Sequence, residues 1–105
     1  MAQWDVCPNP SARSREAMPY LVVVQSDLLS SLPTRLVVPF ARTTLAAADL
    51  SGRLAPLLEI AGERCALRPH EAGSIPKTLL RKRVTSLRVD AHRIVDAMDA
   101  VISGI

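Results

Sequence analysis

The sequence predicts a mostly β fold completed by one helix: about five or more mostly antiparallel strands followed by a single long C-terminal α-helix. Three observations predict it. Tyr20-Leu21-Val22-Val23-Val24 is a continuous, largely β-branched run, too short for most helices and suited to a core strand. Leu57-Leu58-Glu59-Ile60 and Glu63-Arg64-Cys65-Ala66-Leu67 flank Ala61-Gly62, a two-residue hairpin in which Gly supplies the positive φ. Leu87, Ala91, Ile94, Val95, Met98, Val101 and Ile102 recur at the spacing of one helix face.

The remaining elements follow in order. Gln3 to Cys7 alternates enough for a first strand, which Pro8-Asn9-Pro10-Ser11 breaks, and Arg13, Arg15 and Glu16 continue an exposed loop to Pro19. After the Tyr20 strand, Ser30, Ser31 and Pro33 mark a connection, and Arg35 to Val38 returns antiparallel to it. Alanine-rich Leu45 to Leu50 reads as a helical turn ending near Ser51-Gly52. Pro69 to Gly73 is loop, and Ser74-Ile75-Pro76 can pair only at a strand end or sheet edge because Pro has no donor. Thr85 or Ser86 is placed to cap the final helix.

At 105 residues the chain is read as one domain, 1–105, and with 49% apolar residues it has enough material for one modest core. No run approaches the ~20 apolar residues of a membrane helix. Met1-Ala2-Gln3-Trp4-Asp5 lacks the basic and apolar regions of a signal peptide, so a cytoplasmic protein is expected. Cys7 and Cys65 belong to no CxxC pair and have no His at ligand spacing, so both read as ordinary thiols. A net charge of +3 gives only a weak general grip on nucleic acid, and three aromatic residues leave little for base stacking. Arg81-Lys82-Arg83, with Lys77 and Arg88 nearby, reads as a solvated basic edge, the alternative being a phosphate contact.

For catalysis, His70 and Glu71 with Arg64 or Arg68 nominally supply the base, acid and cation of a ribonuclease. His70 lies in a Pro-rich loop, however, and His92 falls on the polar helix face. There is no nucleophile elbow, Gly-rich phosphate loop or metal-ligand spacing. The reading is therefore a non-enzyme with no catalytic residues, no metal and no cofactor. Two polar-to-apolar junctions are more informative. Gln25-Ser26-Asp27 at the end of the core strand is turn chemistry by its residue types, and the two leucines after it, Leu28 and Leu29, are expected to be buried or engaged. At the other junction Ile94, Val95 and Met98 read as core, whereas the sequence finishes on Ser103-Gly104-Ile105 directly after the helix. A terminal carboxylate is costly to bury without a partner, so this end is expected at a contact surface.

These blocks, Tyr20 to Leu29, Thr34-Arg35-Leu36-Val37-Val38-Pro39, Ile60 through the Gly62 turn, Ser74-Ile75-Pro76 and the Gly-Ile ending, together resemble the CcdB family, toxins of plasmid and chromosomal toxin–antitoxin modules that poison DNA gyrase. The resemblance covers nearly the whole chain and implies a curved antiparallel sheet of the SH3-like barrel type shared with MazF-like ribonuclease toxins, and a homodimer. It implies binding to the DNA gyrase A subunit, trapping of cleaved DNA, neutralisation by a CcdA-like antitoxin with an acidic disordered segment, plasmid maintenance and transcriptional repression. DNA would be reached only indirectly, through antitoxin or gyrase, with Arg81 to Arg83 helping in the repressing complex. The gyrase-facing set so implied is Asp27, Leu28, Leu29, Asp99, Ile102, Ser103, Gly104 and Ile105. The match departs from the family at Ile102 and Ser103, where an aromatic pair commonly stands; losing a large anchoring ring costs about 2 kcal/mol or more of interface energy. The ending resembles the branch that finishes in Ile-Ser/Thr-Gly-Ile. The rival readings are a MazF-like ribonuclease on the same fold and a non-toxic homologue that only binds antitoxin.

Overall fold

In a computed structural model, residues 1–43 and 53–104 are described. Among them are seven strands and one α-helix: β1 (Asp5–Pro8), β2 (Tyr20–Val23), β3 (Thr34–Arg42), β4 (Leu57–Ile60), β5 (Glu63–Leu67), β6 (Gly73–Pro76), β7 (Thr85–Ser86) and α1 (Ala91–Ser103). Every strand pairing is antiparallel, in the order β4-β5-β3-β2-β1-β7 with β6 also on β3. The sheet curls into a nearly closed barrel, as the resemblance implied. The segment Leu45 to Leu50, read as a helical turn, and Ile105 lie outside the described residues.

The Tyr20 run lacks polar alternation because both of its faces are covered. Val22 joins Val6, Val38, Phe40, Leu58, Ile60 and Leu67 in the main core, while Leu21 and Val23 point to the opposite face with Cys7, Val37 and Leu80. β3 is the hub. One of its edges pairs with β2, and the other is divided between β6, over Thr34–Val37, and β5, over Phe40–Arg42. Pro39 sits in the gap between these two partners, where its missing donor interrupts no ladder, and its carbonyl accepts from Arg68 N at 2.9 Å.

The β4–β5 hairpin turns on Ala61 and Gly62, both left-handed at φ 52° and 80°, the pattern whose twist matches the flanking strands. Register runs from Ile60 opposite Glu63 to Leu57 opposite Ala66. β6 lies at an edge and ends in Pro76, as its proline requires.

Two expectations about the helix are corrected. Thr85 and Ser86 do not cap it; they form β7 against Val6 and Asp5, and a 3₁₀ turn, Arg88–Asp90, intervenes before α1 starts at Ala91. A two-residue strand is too short for alternation to show in sequence. The apolar stripe, moreover, is not all core. Leu87, Ile94, Ala97 and Ala100 are buried and Met98 packs against them, but Val95 is 45% exposed. α1 lies against the 3₁₀ turn Pro69–Glu71 and buries the side that carries Ile94, Ala97 and Ala100, while Val95, Val101 and Ile102 are exposed. Arg93 Nη2 donates to the Leu57 carbonyl at 2.9 Å, tying α1 to β4.

Candidate functional site

The first predicted segment follows β2. Val24 N and Gln25 N both donate to the Leu36 carbonyl, at 3.0 and 3.3 Å, so the ladder ends there in an irregular step. The Gln25 side chain then takes over the pairing. Its Oε1 accepts from Leu36 N at 3.0 Å and its Nε2 donates to the carbonyls of Thr34 and Leu29 at 3.1 and 3.3 Å. Beyond it Ser26 Oγ accepts from Leu28 N at 3.1 Å, capping a 3₁₀ turn, Asp27–Leu29. Asp27 Oδ1 accepts from Gln3 N at 2.9 Å, bracing the turn against the start of the chain.

This bracing holds two apolar side chains in water. Leu28 is 94% exposed and Leu29 47%. The expectation that these leucines are buried or engaged is not met within their own chain. Polypeptide does not order itself around solvated leucine for its own stability. On the returning side Arg35 is buried, and its guanidinium donates to the carbonyls of Ser30, Leu32 and Thr34 at 2.8, 2.7 and 2.9 Å. Sequence reasoning missed the roles of Gln25 and Arg35. The one available signal was an Arg between apolar residues in a strand.

The second segment is the end of α1. Ser103 Oγ donates back to the Asp99 carbonyl at 2.6 Å, and Gly104 leaves the helix in the left-handed conformation at φ 74° with its N–H on the Ala100 carbonyl at 2.9 Å. Ile102 stands 79% exposed. Asp99, Ile102 and Ser103 line one cavity of about 300 Å³ together with Arg53 and Asp96, whose side chains approach to 3.5 Å. Four of the eight predicted residues thus form a compact helix end, Asp99, Ile102, Ser103 and Gly104. Asp27, Leu28 and Leu29 form a separate turn, and no hydrogen bond or ion pair joins the two segments among the described residues. Ile105 lies outside them.

The residues nominated for ribonuclease chemistry are partly gathered. A 3₁₀ turn, Pro69–Glu71, brings Arg68 Nε to 2.8 Å from Glu71 Oε2, and His70 Nε2 lies 3.9 Å from the same oxygen. Arg64 is elsewhere, on β5 opposite Glu59. Among the described residues no three His, Cys, Asp or Glu side chains cluster as a metal would require. Cys7 and Cys65 are free thiols buried in different parts of the core, and burial pushes both upward, Cys7 to about 11. Thiols so held are poor nucleophiles. No helix is long and apolar enough to cross a membrane among the described residues.

Comparison with known proteins gives one family. A sequence model described as CcdB protein matches residues 3–104. No individual curated protein matches. The family match spans β1 through the exposed end of α1, so it takes in both segments built above. With 105 residues in the chain and the barrel-like sheet and C-terminal helix in place, the protein belongs to the CcdB family, toxins of toxin–antitoxin modules.

Proposed function

We propose that the protein is a gyrase poison: a homodimer that binds the DNA gyrase A subunit when the DNA gate is open, holds the enzyme on cleaved DNA, and is released by a CcdA-like antitoxin. The observation that carries this reading is the outward presentation of Leu28 and Ile102. Each is an aliphatic side chain that its own fold leaves in water, Leu28 on a 3₁₀ turn and Ile102 at the end of α1, and side-chain hydrogen bonds brace both places. In this reading Leu29, Ser103, Gly104 and Ile105 complete the gyrase-facing set, and Asp27 and Asp99 supply its polar rim.

The mechanism is selective binding. A wedge that fits only the open gate shifts the gate's population by its differential affinity for that state, and no bond is made or broken by the toxin. Catalysis finds less support, because Glu71 is already engaged by Arg68 and its partner His70 stands at 3.9 Å. The antitoxin would neutralise by folding an acidic segment onto this mildly basic protein.

The test is a supercoiled-DNA cleavage assay with purified gyrase A and B subunits, ATP and the full-length protein. Protein-linked linear DNA that accumulates with toxin and disappears on adding antitoxin is the expected result. Cleavage of RNA in the absence of gyrase would replace the reading with the ribonuclease one. Antitoxin binding with neither activity would mark a non-toxic homologue.

A further inference from the structure

The arch between β6 and β7 carries the basic run that the gyrase reading leaves unused. Its ends are pinned: Leu80 is buried with Cys7, Leu21, Val23 and Val37, and Val84 N donates to the Val6 carbonyl at 2.7 Å. Between them Arg81, Lys82 and Arg83 are exposed, and Lys82 at the apex is left-handed, φ 58°, a conformation that costs a non-Gly residue about 1 kcal/mol. Among the described residues, no acceptor meets the main-chain N–H of Arg81, Lys82 or Arg83. Arg83 turns its side chain away, Nη1 lying 3.6 Å from Asp5 Oδ1.

Arg81 and Lys82 share a cavity of about 310 Å³ with a third cation, Arg15, and with Pro8, Asn9, Pro10 and Leu79. Three of these residues are cationic and none is acidic. Arg15 is held rather than free, its Nε on the Asn9 carbonyl at 2.8 Å and its Nη2 on the Pro10 carbonyl at 3.3 Å. Asn9 is buried and fixes that loop, donating to Ser14 Oγ and the Met18 carbonyl at 2.9 and 2.8 Å and accepting from Ser11 N at 3.0 Å. Two walls of the fold therefore bring positive charge to one place, and one wall is preorganised.

We infer that the Arg15–Arg81–Lys82 cavity is a contact for the phosphate backbone of duplex DNA, made by this protein directly. Donors converging from two walls suit a phosphate group, which accepts from several directions, better than a planar carboxylate, which one Arg satisfies with two parallel bonds. No aromatic residue lines the cavity, so an unpaired base has nothing to stack on. Asn9, the side chain there suited to an adenine edge, has its amide committed inside the loop. What remains is a sequence-independent grip on successive phosphates, with Pro8, Pro10 and Leu79 against the sugars. The inference does not depend on gyrase being the target, and it adds a direct DNA contact to the indirect ones expected from the sequence.

Fluorescence anisotropy of an end-labelled duplex of about 20 base pairs, titrated with the full chain between 50 and 200 mM salt, tests it. Three cations at one contact give a log K against log salt slope of about −2.7, with micromolar or weaker affinity. Arg81→Glu/Lys82→Glu should lower affinity at least tenfold at 50 mM salt and flatten the slope by about two units. Arg64→Glu/Arg88→Glu makes the same charge change at two other exposed positions and should stay within about threefold of the parent. All four side chains are exposed, so thermal unfolding serves as the check that each variant is folded. Lys82→Gly is a second variant that removes the charge and the left-handed strain together; it should flatten the slope by about one unit with no loss of stability. Equal losses in both double variants would reduce the effect to net charge and overturn the site. So would absence of binding at 50 mM salt, or tighter binding of a labelled polyglutamate peptide than of the duplex.

Discussion

Arg35 shows how much of the site rests on single side chains. Its guanidinium occupies three carbonyls, those of the exposed Ser30 and Leu32 and of the half-buried Thr34, so Arg35→Met takes their charged donor away and unties the turn from β3. Urea unfolding should record a loss of about 2–3 kcal/mol, with Leu29 and Leu32 amides exchanging faster than in the parent. Cys7 offers a separate test through pH. Its folded thiol titrates near 11 because burial disfavours the thiolate, whereas an unfolded thiol titrates near 9. Between these values the unfolded chain releases a proton that the native chain retains, so stability falls as pH rises from 9 to 11. Cys7→Ala should flatten that decline in urea midpoints measured across the window, and an unchanged slope would show that other groups cause it. Ser26 was legible in the sequence because its cap is local, two residues from its donor. Gln25 and Arg35 were not, since their partners are chosen by where β3 returns, and nothing in the residue type announces that return.

Among the elements, the β4–β5 hairpin was the most legible, because a two-residue turn with Gly leaves few geometries open. Both turn residues are left-handed, and a Cβ on Gly62 would meet nothing within 4 Å, so a substitution there is costly through conformation alone. Gly62→Val should therefore destabilise by about 1–2 kcal/mol in urea unfolding, while Ala61→Gly should be neutral or slightly favourable. Reversal of that order would mean that the turn is not held in this conformation. The helix was legible as a helix and misleading as a face. Periodicity reports apolar positions within an arc, but α1 buries the arc through Ile94, Ala97 and Ala100, and small residues carry little weight in a pattern of large ones. β7 escaped notice for the opposite reason, since its two residues obtain their strand character from pairing with β1. Resemblance supplied what periodicity lacked, the closure of these strands into a barrel.

At the scale of the whole molecule, the fold divides its aliphatic side chains into those it uses and those it presents, and the division gives the sharpest test of the gyrase reading. Ile94 is fully buried and Ile102 is 79% exposed on the same helix, so truncating them separates stability from binding. Ile94→Ala should cost about 2–4 kcal/mol of stability, whereas Ile102→Ala should cost under about 0.5 kcal/mol. Leu28→Asp and Ile102→Asp go further, placing a charge at each presented position without entering the core. Each should raise the toxin concentration needed for half-maximal gyrase-dependent DNA cleavage by about 10–100-fold, the range of a lost interface anchor, with thermal unfolding unchanged. If both residues belong to one surface of the proposed homodimer, the double variant should lose cleavage altogether while size-exclusion chromatography returns the same size as the parent. A dimer that dissociates in either variant would assign that leucine or isoleucine to the contact between protomers. Full cleavage by the folded double variant would remove both segments from the gyrase surface, because no other step in the proposed mechanism uses them.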